Sequence, residues 1–238
     1  MRRSVADQDV HELGGPLSVL VRQKKDHAEL DALLRELGTV AGPDQERVLL
    51  RIYRLVFPHA FAEEAVLWPV LRRVLPDGHE LTLEVEREHQ EVNELVARLE
   101  GMGPHDPGRA ALLDRLVDVL REDVRDEEDV LLPRLQEVLS RRQTRGLGVA
   151  WELVRRTAPT RAHPVVARRP PGNVAAALPL SVVDRIRDLV DHAARRAPVG
   201  ARPDLRALGA GLARGAHRIE HLPPLRRGED PSTRTQGP

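Results

Sequence analysis

Residues 59–71 read HAFAEEAVLWPVL, and 64 positions later residues 123–135 read DVRDEEDVLLPRL. Both fit x-x-x-x-E-E-x-V-L-x-P-x-L, and each opens four residues before a glutamate, with His59 ahead of Glu63 and Asp123 ahead of Glu127. Residues four apart share one face of a helix. Each copy therefore sets a polar pair into what is otherwise an apolar stripe. In the first copy the stripe is Ile52, Leu55, Val56, Val66, Leu67 and Val70, and in the second it is Leu116, Val119, Leu120, Val130, Leu131 and Leu135.

Working outward from the repeat, four long helical patterns fill the first 140 residues. They run from about Pro16 to Gly38, Asp44 to Leu75, Gly78 to Glu100 and Gly108 to Arg142, divided by AGPD, PDG and GMGPHDPG. Connections this short between helices this long predict antiparallel neighbours. The fold expected is all-α, an up-down-up-down four-helix bundle over 15–142, followed by an extension over 143–238. A Pro at position 58 inside the second helix predicts a kink that frees the carbonyl of Arg54.

Composition agrees with helices on helices. Hydrophobic residues make up 41% of the 238 but aromatics only 2%, so the core is aliphatic. There is no cysteine, which excludes disulfides, thiolate metal sites and cysteine nucleophiles. The N-terminus lacks the apolar stretch of a signal peptide, and no apolar run reaches the roughly 20 residues of a membrane span. A soluble cytoplasmic protein is the expectation. The zero net charge hides an asymmetry: residues 1–140 hold 18 basic against 29 acidic residues, and 141–238 hold 19 against 8.

The extension reads as short helices near 146–157 and 181–196 joined by a Pro/Arg-rich tether, with 198–238 largely disordered. The first of these helices would carry Trp151 back onto the bundle, and the basic tail as a whole is expected to fold back on the acidic bundle.

Inside the bundle pattern, every helix interrupts its stripe with a polar residue at mid-length. His27 lies on the first helix, His59 and Glu63 on the second, His89 on the third, and Asp123 and Glu127 on the fourth. The intervals of 32, 30 and 34 residues each amount to one helix plus one loop, so these groups meet at one level of the core. Singly, a histidine on an apolar face is most often a hydrogen-bonded core residue, and a buried glutamate most often half of a salt bridge. Three histidines and three carboxylates in one aliphatic layer need a cation, and the nearest basic side chain, Lys24, sits one turn away from His27. Imidazole and carboxylate without sulfur suit iron or manganese, with zinc the third candidate. Six donors exceed the four of a structural zinc site, and the two glutamates could bridge a pair of ions.

In this order and spacing, His27, His59-x-x-x-Glu63, His89 and Glu127 with its L-L-P resemble the hemerythrin-like HHE cation-binding family, over about residues 20–140. E-E-x-V-L-x-P is similar to that family's E-E-x-x-L-F-P. The resemblance implies a non-haem di-iron centre that binds or senses dioxygen or nitric oxide, or that handles iron. Two positions depart from the family pattern. Asp123 stands where helix four usually carries His, and Asn93 stands four residues after His89, where a second His or Glu is frequent. Asp123 is expected to serve as a harder, more anionic ligand, and Asn93 as a weak ligand or a residue just behind the ligands.

No general base, nucleophile or phosphate loop stands out, so the reading is a binding protein, with ferroxidase or peroxide scavenging by the iron as the enzymatic variant. The alternative is a degenerate bundle, with one metal or none, that acts on partners through its basic tail. That tail has one aromatic residue, Trp151, and no base-reading motif, so nucleic acid is not the favoured partner. His11, His79 and His105 lie near helix ends and read as surface residues.

Overall fold

The computed structural model describes residues 3–235 (backbone only at 199), and these hold helices and connections without a strand. Helix α1 spans Val19–Leu37 and α2 spans Pro43–Ala62. A single π turn, Glu63–Leu67, joins α2 to α3, Trp68–Val74. Helix α4 is Gly78–Glu100 and α5 is Arg109–Asp126, and a second π turn, Glu127–Leu131, leads into α6, Leu132–Val138. Local chemistry sets the ends. The Ser18 hydroxyl accepts from the Leu20 N–H, which starts α1 later than Pro16, and Pro43 occupies the first turn of α2. The fourth expected helix stops short of Arg142 because Ser140 and Gln143 form a capping box that opens α7, Arg141–Thr157.

Two apolar clusters occupy opposite ends of these helices. One joins Leu30–Leu37 of α1, Val48–Phe57 of α2, Val92–Leu99 of α4 and Leu116–Leu120 of α5. The other joins Val19 and Leu20 to Leu67, Trp68, Leu71, Val85, Leu131, Leu132, Leu135 and Trp151. This distribution leaves the middle of each helix for other residues. Glycine allows two close approaches. A Cβ at Gly78 would stand 2.3 Å from the Leu71 carbonyl oxygen, and one at Gly148 of α7 would stand 2.0 Å from that of Leu17.

The two π turns correct the expected stripe. Val130, read as buried, is 39% exposed, and Leu132 is fully buried in its place. A π turn closes i→i+5 hydrogen bonds, seen here as Trp68 N–H to Glu63 O and Leu132 N–H to Glu127 O. It holds more residues per turn than an α-helix and so rotates everything after it. The proline of the repeat accounts for its position. Pro69 and Pro133 lack an N–H and crowd the carbonyl four residues earlier, so the regular ladder cannot continue through them.

The tail also departs from expectation. Helix α8 runs over Gly172–Arg196, longer than 181–196, and α9 covers Arg202–Glu220, within the stretch read as disordered. The two pack on each other around Val166, Ala176, Leu180, Ala216 and Leu225. Ion pairs rather than a long apolar stripe fasten this region. Arg161 reaches Glu100, Asp188 and Asp191, Arg187 reaches Glu100, Arg54 reaches Asp188, and Arg169 reaches Glu86. The basic tail thus does fold back on the acidic bundle. Among the described residues no helix is long and apolar enough to cross a membrane.

Candidate metal centre

The structure brings the six residues of the mid-helix layer together, all of them buried. Glu63 presents Oε1 to His59 Nε2 at 3.1 Å and Oε2 to His89 Nε2 at 3.6 Å. Glu127 does the same from the opposite copy of the repeat, with Oε2 at 3.1 Å from His27 Nε2 and Oε1 at 3.9 Å from His89 Nε2. Asp123 Oδ1 lies 3.4 Å from His89 Nε2, and the Nε2 atoms of His27 and His59 are 3.2 Å apart. The donors fall into two overlapping groups, His27–His59–Glu63–Glu127 and His89–Asp123–Glu127, each with its ligand atoms within 4.8 Å of one another.

These atoms fit a cation better than they fit each other. Both oxygens of Glu63 and of Glu127, Oδ1 of Asp123 and Nε2 of His89 are buried and lack a hydrogen-bond partner among the described residues. Burying such groups unpaired costs several kcal/mol each, on the order of the penalty for any desolvated ion. Electrostatics agree. Burial pulls the His27 pKa down, yet the neighbouring carboxylates Glu127 and Glu128 overcome it and lift it to about 9. His89 is raised to about 10 against burial by Asp123 and Glu64, and His59 rises well above its usual value through Glu63 and Asp26. Burial pushes the Asp123 carboxyl well up, and the charges of Glu127 and Glu63 add to the effect against the pull of His89. The layer is short of positive charge, and its three histidines and Asp123 answer by holding protons that a metal ion would displace.

Three further carboxylates stand behind the histidines. Glu128 Oε1 meets His27 Nδ1 at 3.0 Å, Asp26 Oδ2 meets His59 Nδ1 at 3.3 Å, and Glu64 Oε1 meets His89 Nδ1 at 3.0 Å. Each fixes the tautomer that leaves Nε2 free for an ion, and each raises the basicity of the ring. Sequence reasoning passed over all three, although each is the immediate neighbour of a clustered donor. The doubled glutamate now has an explanation. Successive side chains on an α-helix point about 100° apart; the π turn narrows that angle, so Glu63 and Glu64 are both buried, one facing the centre and one facing His89.

The region after the bundle reaches the same layer. Trp151 of α7 is fully buried with its ring edge-on to His59, the centroids 5.4 Å apart, and Trp68 stacks over His89 at 6.3 Å. Arg155 lies over the Trp151 ring and 3.4 Å from Asp26, while Arg168 lies 3.9 Å from Glu64. Asn93 is not brought to the cluster. Its Nδ2 donates to the His89 carbonyl and its Oδ1 accepts from the His163 N–H, both at 2.9 Å, so it ties the tail to α4. Lys24 turns away to the carbonyls of Ala6 and Gln8. His11, His79 and His105 are exposed, as expected.

Comparison with known proteins agrees with this geometry. The profile of the hemerythrin HHE cation-binding domain matches residues 18–135. The chain is 27% identical over 134 residues to an uncharacterized hemerythrin-like protein of Schizosaccharomyces pombe, a match covering 56% of this chain and 66% of the relative. It is 30% identical over 122 residues to a DNA nickase of Nostoc, covering 51% of this chain and 34% of that protein. No solved structure matches. Through residues 18–135, which hold all six clustered donors, the chain belongs to the hemerythrin HHE cation-binding family.

Proposed function

We propose that the bundle holds two iron ions between His27, His59, Glu63, His89, Asp123 and Glu127, and that the pair binds dioxygen or nitric oxide as a sensor or carrier, or serves in iron handling. The observation that carries this reading is the division of labour in Glu63 and Glu127. Each turns one oxygen to the His27–His59 side and the other to His89, as a carboxylate does when it bridges two cations. Imidazole and carboxylate donors without sulfur suit iron. Iron held there would supply one-electron chemistry and coordination positions open to a small ligand.

The protein's own groups do the rest. Asp26, Glu64 and Glu128 hold three imidazoles with Nε2 inward, and Trp68 and Trp151 cover two of those rings and keep bulk water off them. A cleft of about 330 Å³ borders His27 and Glu128; Leu30, Leu34, Leu120 and Val124 line it together with the charged Lys24, Asp31 and Arg121, and it gives a small ligand an approach to His27. One side of the centre has two imidazoles, and the other has one imidazole with Asp123, which makes that second side harder and more anionic. The test is metal analysis with an optical spectrum on protein purified without oxygen and then exposed to air. About two irons per chain and an oxygen-dependent near-ultraviolet band are expected. Protein that takes up neither iron nor manganese when both are offered overturns the reading.

A further inference from the structure

Outside the bundle, the last turn of α9 and the residue that caps it read HRIEH, residues 217–221. His217 and His221 are four apart and share a face, and Glu220 stands beside them. The carboxylate is 5% exposed and firmly held: its Oε2 lies 3.1 Å from Nδ1 of His163, whose Nε2 lies 3.1 Å from Asp184 Oδ2. That leaves Oε1, which lies 2.9 Å from His217 Nδ1 and 3.8 Å from His221 Nδ1. One donor atom from each of the three residues lies within 4.8 Å of the others.

From this convergence we infer that His217, Glu220 and His221 form a second metal site, separate from the bundle, for a borderline divalent ion such as zinc. Two imidazoles and one carboxylate oxygen are zinc's ordinary donors, and around a tetrahedral ion with bonds of about 2.0–2.2 Å neighbouring donors stand about 3.4 Å apart. The separations of 2.9 and 3.8 Å bracket that value. Two protonated rings with centroids 4.3 Å apart would repel each other, whereas two neutral rings can share one dication. His163 and Asp184 stand behind Glu220 as the outer carboxylates stand behind the bundle histidines. His217 is exposed and already 2.9 Å from Glu220 Oε1, so an ion enters between them, and His221 exchanges its 2.7 Å contact with the His217 carbonyl for the metal. The group borders a cleft of about 370 Å³ that is also lined by Arg187 and Arg226, so water or an anion can fill the remaining coordination.

The experiment is zinc binding to the full chain by calorimetry, with zinc content measured after dialysis against excess Zn²⁺. The His217→Ala/His221→Ala double variant changes two exposed side chains. It is expected to bind one zinc fewer per chain than the unaltered protein, and the same deficit is expected when Glu63→Gln is present in both. In the unaltered chain, saturating Zn²⁺ is expected to shift the imidazole proton resonances of His217 and His221. Equal zinc content in the protein and its double variant, or resonances of His217 and His221 that Zn²⁺ leaves in place, overturns the second site.

Discussion

The carboxylate of Glu64 lies 3.0 Å from Nδ1 of His89 on the neighbouring helix, while the residue before it, Glu63, turns both its oxygens into the metal layer. On the proposed function, Glu64 acts on the centre through His89. Glu64→Gln keeps the shape and removes the charge that holds the ring. Metal affinity is expected to fall about 10- to 100-fold, the usual effect of losing the partner of a ligand histidine. Competition against a chelator of known strength measures it. An affinity equal to that of the unaltered protein would show that the Glu64–His89 pair is incidental to binding.

This pair also marks where the sequence stopped being readable. His27, His59, Glu63, His89, Asp123 and Glu127 were legible because each is a polar residue in an apolar stripe at the same depth on its helix. Asp26, Glu64 and Glu128 were not, since a regular α-helix would turn the neighbour of an inward residue about 100° away, and a charged residue there looks like surface. For Glu64 and Glu128 the inward placement depends on the π turns that hold them, and the signal for those was the proline of the repeat; Asp26 lies on the regular helix α1. The tail was misread for another reason. Helix α8 contains Pro179 and leaves Val174, Leu178, Val182 and Leu189 exposed, so its apolar pattern did not mark a core. What orders it is a set of ion pairs between distant residues, such as Arg161 with Glu100, which no local window contains.

Asp123 and Glu127 are one helical turn apart and both face His89. The His27–His59 group does not include Asp123. Asp123→Ala is accordingly expected to lower the metal content from about two ions per chain to about one, with the remaining ion on the His27 side. Metal analysis together with the spectrum decides it. Two ions retained in the variant would remove Asp123 from the ligand set.

Asn93 gives the opposite expectation. Its amide bonds to the His89 carbonyl and to the His163 N–H, so its role is to fasten the tail. Asn93→Ala leaves the buried His163 N–H without this acceptor, and a cost of about 1–3 kcal/mol in stability is expected. Metal content should be unchanged. Chemical denaturation and metal analysis on the same preparation separate the two effects, and a loss of metal without a loss of stability would return Asn93 to the ligand set.

Asp188 joins α8 to the bundle, 3.0 Å from Arg54 Nε and 2.6 Å from Arg161 Nη2. Burial alone would raise its pKa, but the hydrogen bond from Arg54 and the charge of Arg161 outweigh it and hold the carboxyl below its ordinary value of 3.8. A carboxyl with a depressed folded-state pKa stabilises the fold fully above its unfolded pKa of about 4 and loses that contribution as pH falls below it. Asp188→Asn is expected to cost about 1–3 kcal/mol at neutral pH, because buried Arg161 loses one charged partner while keeping Glu100 and Asp191. The difference in Tm between the protein and this variant should stay constant from pH 7 to about 4 and narrow below that, as acid protonates Asp188 in the parent. Thermal melts across that range measure the gap. A gap that holds its full width through the acid limb would mean that Asp188 is not an anion in the folded chain.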